Sequence, residues 1–307
     1  MAAGANERIA YYNGEYLPER EVRIPFRDRG FLLGDGVFDM TRTFGGRIFK
    51  IREHIERLQR SLNAMRIESG HSVDQLVAIS EAVLGRNAHF LDETSDYWVA
   101  QRISRGINAV GDEGWDQDGP TVIVECIPLP LKARASYYRD GLDIVISPVR
   151  RTPPDALTPR AKTANYLNLI NANFATQAAG PNSYTILLDT NGNIAEGLGA
   201  NVFFVKDGVC YTPHERYVLP GVSRACVMEL AEQLGIEVME ADLDFHDAYN
   251  ADEMFVTSTS LCIVPVRTFN GAQVGEGVAG PVTRSITAAY TDLVDFDFVA
   301  QYLGHLS

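Results

Sequence analysis

Lysine is scarce in this chain, with only Lys50, Lys132, Lys162 and Lys206 against 23 arginines, so each amine can be weighed separately. A neutral lysine amine is a nucleophile toward carbonyl carbon. Lys206 lies in VKDGV beside a tight-turn signal, Lys132 in a segment that reads as a linker, and Lys50 near a strand end. Lys162 follows a loop carrying Pro153, Pro154 and Pro159 and precedes a stretch with a helical apolar face. Such a junction fixes a side chain and leaves room for a ligand; it equally fits a surface lysine at a helix start.

Three further groups offer chemistry. Glu196 sits in IAEGLGANVFF, where glycines let a backbone approach a planar ligand closely. The second glycine is followed by neither a third nor a strand-to-helix switch, which excludes a dinucleotide fingerprint. Leu219-Pro220-Gly221-Val222-Ser223-Arg224 is a turn feeding a helix, whose first N–H groups suit an anion such as phosphate; an ordinary helix cap has the same pattern. The run Thr257-Ser258-Thr259-Ser260 presents hydroxyls and N–H groups, as does any exposed turn. Arg57, on a helix, could meet the same anion or simply face solvent.

Several chemistries are excluded. The histidines (54, 71, 89, 214, 246, 305) are scattered, without HxxxH or HExxH, so no metal site is expected. GxSxG and Walker motifs are absent. With Lys+Arg 27 against Asp+Glu 40, the net charge of −13 disfavours nucleic acid and anionic membrane as partners. Cys126, Cys210, Cys226 and Cys262 form no CxxC pair and read as reduced, buried thiols in a cytoplasmic protein. No secretory leader pattern and no apolar run of membrane-spanning length is present.

The elements that must position these residues read as α+β. Asn13-Gly14 turns a hairpin between 8–12 and 15–17, and Gly45-Gly46 turns another. Helices are expected over 52–65, where Ile55, Leu58 and Leu62 share a face, and over about 73–85. Strands DYWVAQRISRG and TVIVECIPL flank a loop at 106–119. A first domain over 1–128, a linker over 129–139 and a second domain over 140–307 follow. In the second, a helix is expected over 163–178, then a strand–turn–strand unit around Asn191-Gly192, a hairpin at Asp207-Gly208, a helix after Pro220-Gly221, two closing strands and a helix over 281–294.

DRGFLLGDGVFD (28–39), EHIERLQRS (53–61), RISRG (102–106), AKTANYLN (161–168), LLDTNGNIAEGLGANVFFVKDG (187–208), LPGVSR (219–224) and NADEMFVTSTS (250–260) occur in this order. Together they resemble the class IV (fold-type IV) aminotransferases across nearly the whole chain. The resemblance implies a two-domain α+β fold like D-amino-acid aminotransferase, with a barrel-like C-terminal domain, pyridoxal 5′-phosphate between the domains, and a homodimer. Lys162 resembles the lysine that forms the Schiff base and moves the substrate proton. Glu196 resembles the carboxylate under the pyridine nitrogen, and Tyr166 the tyrosine beside the ring oxygen. Arg57, Val222, Ser223 and Thr259 resemble the clamp on the cofactor phosphate, and Leu219 a further cofactor-binding position. Thr259 and Ser260 resemble the pair whose amides receive a substrate carboxylate.

Departures from the family pattern bear on substrate. Leu33 and Met40 stand where branched-chain enzymes commonly carry Tyr and Gly, near Phe38. Trp98-Val99-Ala100 replaces their Tyr-Ile-Arg triplet, so the carboxylate-binding Tyr and Arg are both missing. Residues 107–112 lack the Arg-x-His pair of D-amino-acid transaminases. Strand alternation puts Trp98, Ala100 and Arg102 on one face; Arg102 or Arg42 is the candidate for the missing positive charge. The expected donor is an (R)-amine or D-configured compound with a pyruvate-like acceptor. The alternatives are a branched-chain L-amino-acid aminotransferase using 2-oxoglutarate and an aminodeoxychorismate-lyase-like enzyme.

Overall fold

The Asn13-Gly14 turn joins strands β1 (Ile9–Tyr12) and β2 (Glu15–Pro18), which pair antiparallel. Both turn residues have positive φ, 46° and 100°, the geometry that matches the right-handed twist of a hairpin. The computed structural model describes residues 7–107, 119–176 and 180–306. The chain forms two units, one of Met1–Leu129 with Ala161–Asn165, the other of Pro130–Arg160 with Tyr166–Ser307.

In the first unit the hairpin is followed by the short helix α1 (Arg29–Leu33), strands β3 (Gly36–Phe44) and β4 (Arg47–Ile48), helices α2 (Ile51–Met65) and α3 (Val73–Asn87), and the long pair β5 (Tyr97–Ile107) and β6 (Gly119–Pro128). The six strands form an antiparallel sheet in the order β2-β1-β6-β5-β3-β4. Ile55, Leu58 and Leu62 of α2 are buried as their spacing requires, against Val37, Val99, Ile103, Val122 and Val124 of the sheet. Ser72 opens α3 with a capping box closed by Gln75. The loop expected over 106–119 falls mostly at 108–118, outside the described residues.

The second unit contains helix α4 (Leu131–Asp140), strand β7 (Leu142–Ile146), helix α5 (Leu167–Thr176), strands β8 (Ser183–Leu188), β9 (Ile194–Gly197), β10 (Asn201–Lys206) and β11 (Val209–Pro213), helix α6 (Val222–Gln233), strand β12 (Val238–Ala241), helix α7 (Phe245–Tyr249), strands β13 (Glu253–Ser258), β14 (Cys262–Phe269) and β15 (Ala272–Gln273), and helices α8 (Pro281–Val294) and α9 (Phe298–Leu303). Its nine-stranded sheet runs β12-β11-β10-β13-β14-β7-β8-β9, with β15 on β14. The apolar alternate residues Val202, Phe204, Met254, Val256, Val264 and Val266 build its core.

Two expectations are corrected. The segment read as a linker over 129–139 contains α4, whose Leu131 and Ala135 are buried. The Pro at 130 masked a helix start, since proline at or just before the first turn costs no hydrogen bond. The helix expected over 163–178 begins at Leu167, and residues 177 and 178 lie outside the described residues. Lys162 is therefore not at a helix start. Among the described residues no helix is long and apolar enough to cross a membrane, and no His, Cys, Asp and Glu group could hold a metal.

Arg42 of β3 is wholly inaccessible, and its guanidinium lies 3.6 Å from Asp96, equally inaccessible. The guanidinium also donates to the Thr43 carbonyl and stacks 4.1 Å from the Phe44 ring. Asp96 accepts in addition the N–H groups of Gly45 and Gly46, pinning the β3–β4 turn. Asp96→Ala strands the Arg42 charge, and should lower unfolding free energy by about 3–5 kcal/mol in urea titrations; a loss under about 1 kcal/mol would show that Asp96 is dispensable.

Candidate active site

Lys162 is held by backbone pairing. Residues 162–164 lie antiparallel to the start of β3, with a bridge between Val37 and Thr163. The Phe38 N–H donates to the Lys162 carbonyl at 2.9 Å, and the Ala164 N–H to the Gly36 carbonyl at 2.8 Å. The Lys162 N–H donates to Ser61 Oγ of α2 at 3.0 Å. Ala161 and Thr163 are buried on either side. Lys162 Nζ lies 4.5 Å from the centroid of the Phe38 ring, within cation–π range.

Beneath β3 is a buried ion cluster. Arg57 donates through Nε and Nη2 to the two oxygens of Asp39, at 2.8 and 2.7 Å. His54, one turn earlier on α2, meets Asp39 Oδ1 through Nδ1 at 2.7 Å. Burial by itself would raise the Asp39 pKa, but the Arg57 and His54 charges and their hydrogen bonds outweigh it and hold the carboxyl well below the usual range. Burial pushes His54 below its ordinary value; Asp39 opposes this, and the Arg57 and Lys162 charges reinforce it. Arg57, expected from sequence as an anion clamp or a solvated residue, is thus buried and aimed by a carboxylate.

The substrate candidates fall mostly on one sheet face. Register places Phe38 opposite Arg102, Met40 opposite Ala100 and Arg42 opposite Trp98. Paired residues share a face, so all six do, together with Lys162, which pairs opposite Phe38. Phe38, Met40 and Trp98 are half-buried and Ala100 is buried. Arg42, expected as one source of positive charge for a substrate acid, is instead committed to Asp96 in the core. Leu33 is not on this face: it ends α1 and is 61% exposed, beside the exposed Phe31 and Leu32. An exposed terminal position of a five-residue helix was not visible from its place in GFLLGDG.

In the second unit, Glu196 on β9 is buried. Arg151 Nε donates to its Oε1 at 2.9 Å and the Leu219 N–H to its Oε2 at 2.9 Å. Gly197 is required by packing rather than by open space, because a Cβ there would strike the Tyr184 ring; Gly199 does face open space. The turn before α6 is tied to β10, with Asn201 Nδ2 donating to the Leu219 carbonyl at 3.1 Å. A Cβ on Gly221 would collide with that Asn201. Gly221 is the N-cap and supplies no side-chain cap, so Ser223 is not the capping residue; Val222 and Ser223 form the first turn. Tyr290 Oη donates to Ser223 Oγ at 3.4 Å. Thr259 is half-buried in the turn between β13 and β14. Ser260 is fixed there, accepting Arg134 Nη1 on Oγ at 2.7 Å and Tyr302 Oη on its carbonyl at 2.6 Å. Tyr166 is half-buried just ahead of α5.

The Amino-transferase class IV family model matches residues 36–269. The chain belongs to the class IV aminotransferases. It is 33% identical over 284 residues to a putative branched-chain-amino-acid aminotransferase of Methanocaldococcus jannaschii, covering 92% of this chain and 95% of that protein. It resembles the crystal structure of the Escherichia coli branched-chain amino acid aminotransferase, with a TM-score of 0.84 and 31% identity over 95% of this chain and 97% of that one. It also resembles the T.th. branched-chain amino acid aminotransferase complexed with N-(5′-phosphopyridoxyl)-L-glutamate, with a TM-score of 0.82 and 27% identity over 94% of each chain. The cofactor of the family is pyridoxal 5′-phosphate, and the fold-type IV architecture agrees with the two units found here.

Each unit by itself carries groups whose chemistry fits that cofactor: the first an amine and a fork-shaped cation, the second a buried carboxylate and a helix N-terminus without a side-chain cap. Sequence reasoning missed Asp39, His54, Arg151 and Arg134. Asp39 stood between Phe38 and Met40 on a strand, and an acid on the buried face implies a buried cation; His54 and Arg57, three apart on a helix, were the available signal.

His54 adds a pH dependence with a definite sign. Its folded pKa lies below the ordinary 6.5, so in the window below about pH 6.5 the unfolded chain binds a proton that the folded chain does not. Its contribution to stability is lost as pH falls through that window. His54→Gln should flatten the fall in unfolding free energy between about pH 7.5 and about pH 5.5; an unchanged slope in urea titrations would assign the proton uptake elsewhere.

Proposed function

We propose that this aminotransferase moves the amino group of an apolar, branched-chain amino acid to a 2-oxo acid. The carrying observation is Lys162, paired by its backbone to β3 with its ammonium over Phe38, on a sheet face that also presents Met40, Ala100 and Trp98. Similarity to branched-chain enzymes over more than nine-tenths of the chain supports the donor. The phosphopyridoxyl-L-glutamate held by the T.th. relative supports 2-oxoglutarate as acceptor.

The resemblance to the family supports the following residue roles. Lys162 Nζ takes the proton from the substrate carbon and returns it during the exchange. In the first unit Arg57, aimed by Asp39, offers a fork-shaped cation for phosphate; in the second the N–H groups of Val222 and Ser223 and the Thr259 hydroxyl offer donors for it. Glu196, fixed by Arg151 and the Leu219 N–H, places its carboxylate for the ring nitrogen, and Tyr166 stands for the ring oxygen. The amides of Thr259 and Ser260 receive the substrate carboxylate. Pyridoxal phosphate, when bound, supplies a cationic conjugated ring that accepts the electron pair left at the substrate carbon. Two half-reactions share this machinery, the donor leaving as its keto acid before the acceptor enters.

A second reading is a carboxylate-free amine donor of (R) configuration. The specific observation favouring it is that the position opposite Met40 is a small, buried Ala100 rather than a cation, so an aryl or alkyl group would bury area on the half-buried Met40 and Trp98 at roughly 25 cal/mol per Å². A homodimer in the cytoplasm is part of the proposal. Exposed Phe26, Phe31, Leu32 and Leu33 and, on α5, exposed Leu167, Ile170 and Phe174 support self-association; four free, buried cysteines suit a reducing compartment.

Lys162→Ala should abolish both the long-wavelength cofactor absorbance and transamination. Borohydride reduction and peptide mapping check it, and label on Lys50, Lys132 or Lys206 would overturn the assignment. A donor panel of L-leucine, L-valine, L-glutamate, D-alanine and the two 1-phenylethylamine enantiomers should rank L-leucine or L-valine first by kcat/KM. If (R)-1-phenylethylamine outranks both, the second reading replaces the first; pyruvate release from a chorismate-derived amine without any acceptor would mark a lyase.

A further inference from the structure

Three residues stand in a row across the first sheet. Lys162 pairs opposite Phe38, and Phe38 opposite Arg102. Two strand spacings separate the outer pair, so their backbones are about 10 Å apart. Both cations lean on the same ring: Lys162 Nζ is 4.5 Å and the Arg102 guanidinium carbon 5.8 Å from the Phe38 centroid. A molecule lying along Phe38 with its reacting carbon at Lys162 can therefore meet Arg102 with its far end.

Glu125 sets how Arg102 is presented. It pairs opposite Ala100 and so sits on the same face, diagonal to Arg102. Arg102 Nε donates to Glu125 Oε1 at 2.6 Å. Among the described residues the two Nη groups have no hydrogen-bond partner. The arginine side chain is 43% exposed and the glutamate 18%. The guanidinium is thus gripped by one edge while two parallel N–H donors remain open, the arrangement that receives a carboxylate. Arg42, the other arginine on this face, has no such freedom, being sealed against Asp96.

We propose that Arg102, positioned by Glu125, is the subsite for the distal carboxylate of a dicarboxylic 2-oxo acid. This deepens the transaminase reading and rests on it. A carboxylate attached directly to the reacting carbon must lie beside Lys162, whereas one several bonds away reaches the far end of the row. The Glu125 charge also explains how one site accepts two kinds of side chain. With an apolar side chain in place, Arg102 keeps a counter-ion and a share of solvent, so no charge is stranded. With an acidic side chain, the open Nη edge adds charge-assisted hydrogen bonds, moderated by the nearby glutamate.

The two residues have opposite effects on an acid, which a merely structural pair would not. The test uses the holoenzyme, with glutarate and 4-methylvalerate as non-reacting probes in calorimetric titrations. Arg102→Gln should weaken glutarate binding about tenfold or more and leave 4-methylvalerate within about twofold. Glu125→Gln retains an oxygen for Nε but removes the competing charge, so glutarate should bind about threefold or more tighter. In kinetics, Arg102→Gln should raise KM for 2-oxoglutarate while KM for 4-methyl-2-oxopentanoate and kcat hold. The proposal is overturned if wild type binds no glutarate, if Arg102→Gln leaves its affinity unchanged, or if both variants weaken it alike. Loss of the Lys162-linked chromophore would instead count against the transaminase reading, since the calorimetric result stands without turnover.

Discussion

Two backbone hydrogen bonds between residues 162–164 and the start of β3 govern the chemistry of the first unit. They bridge a short segment to an edge that β4 leaves uncovered, and they place an amine in register with Phe38 and Arg102. The third bond, from the Lys162 N–H to Ser61 Oγ, ties the same segment to α2, the helix that carries His54 and Arg57. Position is thus delivered by main chain, which has two soft dihedrals per residue, rather than by the flexible lysine stem. Around Lys162 the first unit is ordered by β3: Asp39 on one face of it, Phe38 and Met40 on the other, and Ala100 and Arg102 one strand further.

Buried acids set the second level of order. Asp39 and Asp96 are both inaccessible, and each is opposed by an arginine and further donors. Desolvation makes an unpaired charge at either place prohibitive, so each cluster is complete or absent. Their consequences differ. Asp96 consumes Arg42 and fixes a turn, whereas Asp39 grips Arg57 by Nε and Nη2 at a helix face adjoining Lys162. Glu196 follows a related pattern in the second unit, one oxygen on Arg151 and the other on a backbone N–H.

The hairpins, α2, α3, α6 and α8 were legible because each rests on a local rule: positive-φ turn pairs, helical spacing of apolar residues, or a Pro-Gly turn before a helix. Lys162 and Glu196 stood out through family motifs, and the face shared by Trp98, Ala100 and Arg102 through strand alternation. What stayed hidden depends on register between distant segments. Nothing in AKTANYLN announces that its first residues pair with β3, so helical periodicity was extended too far back. Arg42 and Arg102 looked equivalent as candidate cations, both arginines on strands; only the partner separates them, Asp96 in the core for one and Glu125 at the rim for the other. α4 was missed because Pro128 and Pro130 precede it, and Leu33 because exposure at the end of a one-turn helix leaves no periodic trace.

The first unit is discontinuous, including residues 161–165, which bridge to β3. During vectorial synthesis, β3 emerges long before its final neighbour exists. β4 covers only Thr43 and Phe44 of the β3 edge, leaving Gly36 and Phe38 with unpaired backbone groups until some 120 further residues have been made. An open strand edge is a template for another chain. The interval between translation of β3 and arrival of Lys162 is therefore the time at which the nascent polypeptide is most prone to mispairing. The main chain of residues 162–164 is the plug that ends it, so the long-range closure that completes this edge is the same event that sets Lys162 in register with Phe38.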